Sequence, residues 1–231
     1  MGKFFSLEGP FFNFMSRVAD LLWLNILYII CCLPVITIGA STTALYYVTM
    51  KMTEDEEGYI SKDFFRSFRL NFKQATLIWL LVLIIGGILA ADLAIMTGRF
   101  PASVAVSGVM SKLMTGILAA TTAIYAFTVT YVFALLAKFD NSVKNTVKNS
   151  LLISIRHFPY TILMIVINIL PWVLIWFEPR ISIFIVILFS LLAFICSRFF
   201  VKIFKLYIPK EEGEEDPDDE GQGNEVGQMI D

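Results

Sequence analysis

Residues 33–51 read LPVITIGASTTALYYVTMK. The fold turns on whether this stretch ends one membrane crossing, turns between two, or forms a site. All of it but the final Lys51 lies in residues 21–50, which contain no Asp, Glu, Lys or Arg. Yet Pro34, with no N–H, and Gly39, with its permissive backbone, interrupt an ordinary spanning helix. Ser41, Thr42 and Thr43 add hydroxyls where a span is usually aliphatic.

The rest of the chain sets the solvent. Residues 113–137, 158–177 and 181–197 carry no charged side chain, and 74–97 carry only Asp92. A helix needs about 20 apolar residues to span a bilayer core, within a range of about 17–25. Charged residues are 16% of the chain, against about 25% in soluble domains. Five such runs, with the charge confined between them, exclude a fold packed in water. The reading is an all-α polytopic membrane helical bundle of five to six membrane segments arranged as hairpins, with juxtamembrane amphipathic helices.

The net charge of −2 conceals two regions. Ten of the 20 acidic residues but only one of the 18 basic ones follow Pro209, leaving 17 basic against 10 acidic residues in 1–209. Residues 1–209 read as one integral membrane domain, and 210–231 as an acidic, disordered cytoplasmic tail too poor in apolar residues to fold. Basic residues near span ends favour the cytoplasmic side. Lys51, Lys62, Arg66, Arg69 and Lys73 thus place 51–73 inside. Lys138, Lys144, Lys148 and Arg156 do the same for 138–157, as do Arg198, Lys202, Lys205 and Lys210 for the C-terminus. Segments 98–112 and 178–180, with only Arg99, Lys112 and Arg180, fall outside. If residues 18–50 cross once, the N-terminus is outside; if twice, it is inside, and 15 of the 18 basic residues are inside. Two helices of about 15 residues would each reach only about 22 Å. The first apolar run starts late, is preceded by only Lys3 and Arg17, and lacks a clear small-x-small cleavage site, so a cleaved signal is not expected.

A loose repeat favours the double crossing. Phe64, Phe65, Phe68 and Phe72 share one helical face, with Lys62, Arg66, Arg69 and Lys73 in a separate stripe. That is the pattern of an interfacial helix over about 61–73, apolar face on the bilayer and basic stripe toward anionic lipid. In about 141–156, Val143, Val147, Leu151 and Ile155 form a weaker stripe beside Lys144 and Lys148. In about 10–18, Phe11, Phe14, Met15 and Val18 share a face opposite Asn13, Arg17 and, just beyond, Asp20. Each leads into a hairpin, over about 18–50, 74–137 and 158–203, and the first hairpin then turns within 34–41.

The candidate sites each have a plainer alternative. Pro34, Thr37, Gly39, Ser41, Thr42, Thr43 and Tyr46 form a broken helix at membrane depth, as in transporter sites, or a capped turn with small residues for helix packing. Asp92 is a functional carboxylate or an anchor near the outer end of its span, close to Arg99. Asn25 lies within a span, and Asn168 precedes Pro171, where it could satisfy backbone groups freed by a kink. His157, the single histidine, reads as a solvated interface residue. Cys31, Cys32 and Cys196 read as buried thiols. No H-E-x-x-H, P-loop or G-x-S-x-G occurs. No catalytic residue, cofactor, metal or nucleic acid is therefore expected.

Residues 33–51, followed by EDEEGYISKDFFRSFRLNFKQAT (54–76), resemble the YesL-like family of bacterial membrane proteins, a domain family of unknown function. The resemblance covers about residues 10–95. It rests on Leu33, Pro34, Thr37, Gly39, Ala44, Leu45, Tyr46, Gly58, Asp63, Phe64, Phe65, Phe68, Asn71 and Phe72. It implies a multi-pass bacterial plasma-membrane protein whose relatives are often encoded beside sugar-binding-protein-dependent importers and polysaccharide-degrading enzymes. No functional residue is carried over. The expectations are a non-enzymatic accessory factor for a carbohydrate ABC importer, with its permease subunits as partners besides the lipid bilayer, or a small transporter or channel using the first hairpin.

Overall fold

The computed structural model describes residues 10–56, 58–96, 109–178, 180 and 185–207. Most of the expected outer segment 98–112, residue 179 of the expected outer turn 178–180, and the acidic tail 210–231 lie outside them. The described elements are α1 (Pro10–Cys32), a 3-10 turn (Val35–Thr37), α2 (Ile38–Thr53), α3 (Ile60–Met96), α4 (Val109–Lys138), α5 (Val143–Arg156), α6 (Phe158–Phe177) and α7 (Ile185–Phe204). Five of them, α1, α3, α4, α6 and α7, are long and apolar enough to cross a membrane. With 16 residues, α2 is about 24 Å long and forms a short additional segment enclosed by the others. The protein is an all-helical membrane bundle.

Pro34 disfavours helical backbone at the residue before it, and α1 ends at Cys32. The helix resumes at Ile38, so the turn is shorter than the expected 34–41. The two limbs are antiparallel. Arg17 of α1 pairs with Asp55 just beyond α2, and Trp23 Nε1 donates to Ser61 Oγ at 2.8 Å. Lys138 at the end of α4 reaches Glu54, Phe139 packs on Phe204, and His157 on Tyr207. The start of α1, the α2–α3 loop, the end of α4 and the end of α7 thus share one end of the bundle, the basic end.

Two of the three expected interfacial helices are not separate elements. Residues 61–73 continue without a break into the span as one 37-residue helix, about 55 Å long. Residues 10–18 are likewise the first turns of α1. Helical periodicity identifies a face but not a bend, and neither junction contains a Pro or Gly to make one. Only α5 stands apart from the span it precedes. Its inward face is Thr146, Ser150 and Ser154 together with Ile153, offset from the expected Val143–Ile155 stripe, whose Ile155 is exposed. Small side chains let α5 approach α4 closely, and their hydroxyls donate to carbonyls within α5, as Ser150 does to Thr146 O at 2.6 Å.

Candidate functional site

The broken stretch becomes the centre of the bundle. α2 packs against α1, α3, α4 and α7, and Gly39, Ala40, Ser41, Thr43, Ala44, Leu45, Val48, Thr49 and Met50 are buried. The turn before it is largely exposed but internally satisfied. Thr37 Oγ1 lies 2.5 Å from Cys31 O and 2.6 Å from Pro34 O, and the Trp79 indole donates to Val35 O at 2.8 Å. These bonds occupy carbonyls that the break releases at membrane depth, where an unmet carbonyl is costly.

Beyond the turn, α2 neutralises its own hydroxyls. Thr42 donates to Ile38 O at 2.8 Å, Thr43 to Gly39 O at 2.9 Å and Thr49 to Leu45 O at 2.9 Å. Thr49 also meets Ser197 of α7 at 2.7 Å, while the Tyr46 ring lies edge-on to Phe200. Thr42 is near Tyr28 OH, at 3.4 Å. The fully buried Ser41 hydroxyl has no well-formed hydrogen bond; its polar neighbour is the Cys32 thiol, a weak partner. Gly39 serves packing, because a Cβ there would lie 2.5 Å from Ala75 O and 2.7 Å from Trp79 Cβ. The stretch therefore gathers hydroxyls but commits most of them to backbone.

The other candidates are dispersed. Asn25 is buried and accepts from Ser190 N at 3.1 Å, tying α1 to α7. Asn168 donates to Met164 O at 2.8 Å and lies 3.4 Å from Cys196 Sγ. Its bond is not to Ile167 O, the acceptor that Pro171 frees, because helical side chains lean back toward the preceding turn. Asp92 is exposed on α3, and Arg99 lies outside the described residues. Among the described residues, no group of three or more His, Cys, Asp or Glu side chains could hold a metal, and Cys31, Cys32 and Cys196 are free thiols.

The aromatic face of 61–73 is divided. Phe64 is completely buried among Leu24, Leu27, Ala44, Leu45, Val48 and Ala193, and Phe68 packs beside it. Phe65 and Phe72 stay exposed, as do Lys62, Arg66, Arg69 and Lys73. The buried half of the face thus meets protein rather than lipid.

An ionic collar closes the basic end, and its pairings had not been anticipated. Asp63 holds Lys51 at 2.9 Å, Glu56 lies 3.8 Å from Lys51, and Glu54 holds Lys138 at 2.7 Å. The Asp63 hydrogen bond, against some opposing burial, raises Lys51 above the usual lysine range. Asp55 takes a left-handed conformation, φ 54°, which Asp tolerates. Glu56 N donates back to Lys51 O at 3.1 Å, the six-to-one bond of a Schellman cap. A Cβ on Gly58 would run into the Asp63 carboxylate. The alternation of acids and bases in 51–63 hinted at local pairing, but Lys138 lies 84 residues from its partner.

Three clefts among the described residues lie toward the basic end, and none of these three is lined by residues 34–43. No curated protein and no solved structure matches the chain. The α1–α3 core that holds the turn, Gly39 and Phe64 coincides with residues 21–93, which match the model of the family described as protein of unknown function, DUF624, in line with the YesL-like resemblance.

Proposed function

We propose that this chain is a non-enzymatic accessory protein of the bacterial plasma membrane, with both termini cytoplasmic. It assists the assembly, stability or regulation of a carbohydrate ABC importer by packing against the permease subunits. One observation carries the membrane-partner part of this reading. Gly87 on α3 and Gly116 on α4 have open space where a Cβ would stand, whereas Gly39 and Gly86 are filled by Trp79, Ala75 and Tyr125. A helix-interior glycine costs about 0.5–1 kcal/mol relative to alanine, and small residues at membrane depth let a second helix approach closely. At Gly87 and Gly116 none of the described residues makes use of that access. The identity of the partner rests on the genomic company of the resembling family.

The test is copurification in mild detergent from cells grown on an inducing polysaccharide. Permease subunits should be enriched with the wild-type chain and depleted with the double variant Gly87→Leu, Gly116→Leu, whose larger side chains enter open space. Sugar uptake by the purified chain alone in liposomes would overturn the proposal in favour of a transporter.

A further inference from the structure

We propose that the cleft between the basic stretch of α3 and the end of α4 binds the headgroup of an anionic phospholipid, with an acyl chain lying along α3. The cleft holds about 920 Å³, and its walls include Arg66–Gln74 on one side and Leu136–Asp140 on the other. Arg66, Arg69 and Lys73 line it and, among the described residues, none has an ion-pair partner. Lys138 is already neutralised by Glu54. Asp140 is the one acid on the lining, so the cleft retains a net positive charge. Guanidinium forks match phosphate oxygens in pairs, and lysine adds a point charge.

Position selects a lipid over a free anion. Lys73 is the last charged residue of α3 before Asp92, so the three cations stand where the helix leaves polar surroundings. Leu70, Leu77, Leu81, Ile84 and Ile88 are all exposed. Their three-, four- and seven-residue spacings put them on the same helical face as Arg66 and Lys73. A cationic mouth thus continues into an apolar track, the outline of one amphiphile. A phosphatidylcholine head would bring its own ammonium against these cations.

The purified full chain in mild detergent can be titrated with dioctanoyl phosphatidylglycerol, dioctanoyl phosphatidylcholine or inorganic phosphate, with bound species counted by native mass spectrometry. Phosphatidylglycerol should bind at least about tenfold more tightly than phosphatidylcholine, and each of Arg66→Gln, Arg69→Gln and Lys73→Gln should weaken it about fivefold. Lys144→Gln and Lys148→Gln, which alter equally exposed charges on α5, should leave it unchanged. The proposal falls if the two lipids bind alike, if inorganic phosphate displaces the lipid, or if the α5 variants lose as much affinity as the cleft variants.

Discussion

The two halves of α4 are solvated differently. Residues 131–137 are buried at seven consecutive positions, while nearly every described residue from Lys112 to Ile124 is exposed. A helix buried all round needs neighbours on every side, and at the basic end α2, α3, α5 and α7 provide them, with Tyr131 on Phe200 of α7 and Ile153 of α5 in the same cluster. Toward the other end α4 keeps α3 as a neighbour, for example through Tyr125 OH to Val82 O at 3.0 Å. One half has a protein interior, and the other is left open by the described residues. The short α2 produces the asymmetry, because its turn meets α3 around Trp79, roughly halfway along that helix.

Glycine substitutions probe the contrast most strongly. Gly39→Leu should prevent assembly, since the obstructing atoms at Ala75 and Trp79 are backbone and Cβ and cannot rotate away. Gly39→Ala should cost about 1–3 kcal/mol, the usual range for overpacking. Gly87→Ala, on the open half, should be neutral or gain up to about 1 kcal/mol from helix propensity. Thermal unfolding in one detergent, followed by circular dichroism, compares them. Equal losses at positions 39 and 87 would mean that the halves are packed alike.

The ionic collar should yield a smaller effect. The Glu54 and Lys138 side chains are 15% and 26% exposed, between a surface pair and a buried one. Glu54→Gln should therefore cost about 1–2 kcal/mol by leaving Lys138 half-buried and uncompensated. Adding Lys138→Met should recover part of that loss, giving a coupling in a double-mutant cycle. A fully additive cycle would remove the collar from the forces closing this end.

The membrane segments were legible because lipid imposes a requirement that one stretch can display alone: about 20 residues without charge. The centrality of α2 was not legible. Gly39, Ser41 and Thr49 look the same in a turn, a site or a packed helix, and what decides is Ala75 and Ser197, distant in the chain. The same limit explains Phe64, whose neighbours lie on α1, α2 and α7, while Phe65 and Phe72 of the same expected face stay exposed. On α5 the larger apolar residues drew attention, while Thr146, Ser150 and Ser154 fit against α4 because they are small. Polarity weighs less once a hydroxyl can bond its own helix. The candidate turn was visible through Pro34 and Gly39, but the bonds from Thr37 and Trp79 that satisfy it depend on the fold.

The smallest expected effect lies at the joint where α5 meets α6. His157 N donates to Ile153 O at 2.9 Å, its Nε2 lies 3.2 Å from Tyr207 OH, and the Arg156 guanidinium sits over the Tyr207 ring. Burial, and then the neighbouring Arg156 charge, lower the His157 pKa below its ordinary 6.5. The unfolded chain therefore takes up this proton first as the pH falls. The stability contributed by neutral His157 is fully present above 6.5, declines as the pH falls through the window down to the folded-state value, and then levels off. Loosening this joint would uncover the enclosed half of α4 and leave the exposed half as it was. Between about pH 7.5 and about pH 5, where histidine is the side chain that ordinarily titrates, the wild type should lose thermal stability by a small amount that His157→Gln abolishes. Hydrogen exchange at residues 131–137 should rise over the same range in the wild type alone. An identical pH slope in the variant would assign the acid sensitivity to another group and leave the α5–α6 joint without a proton-dependent role.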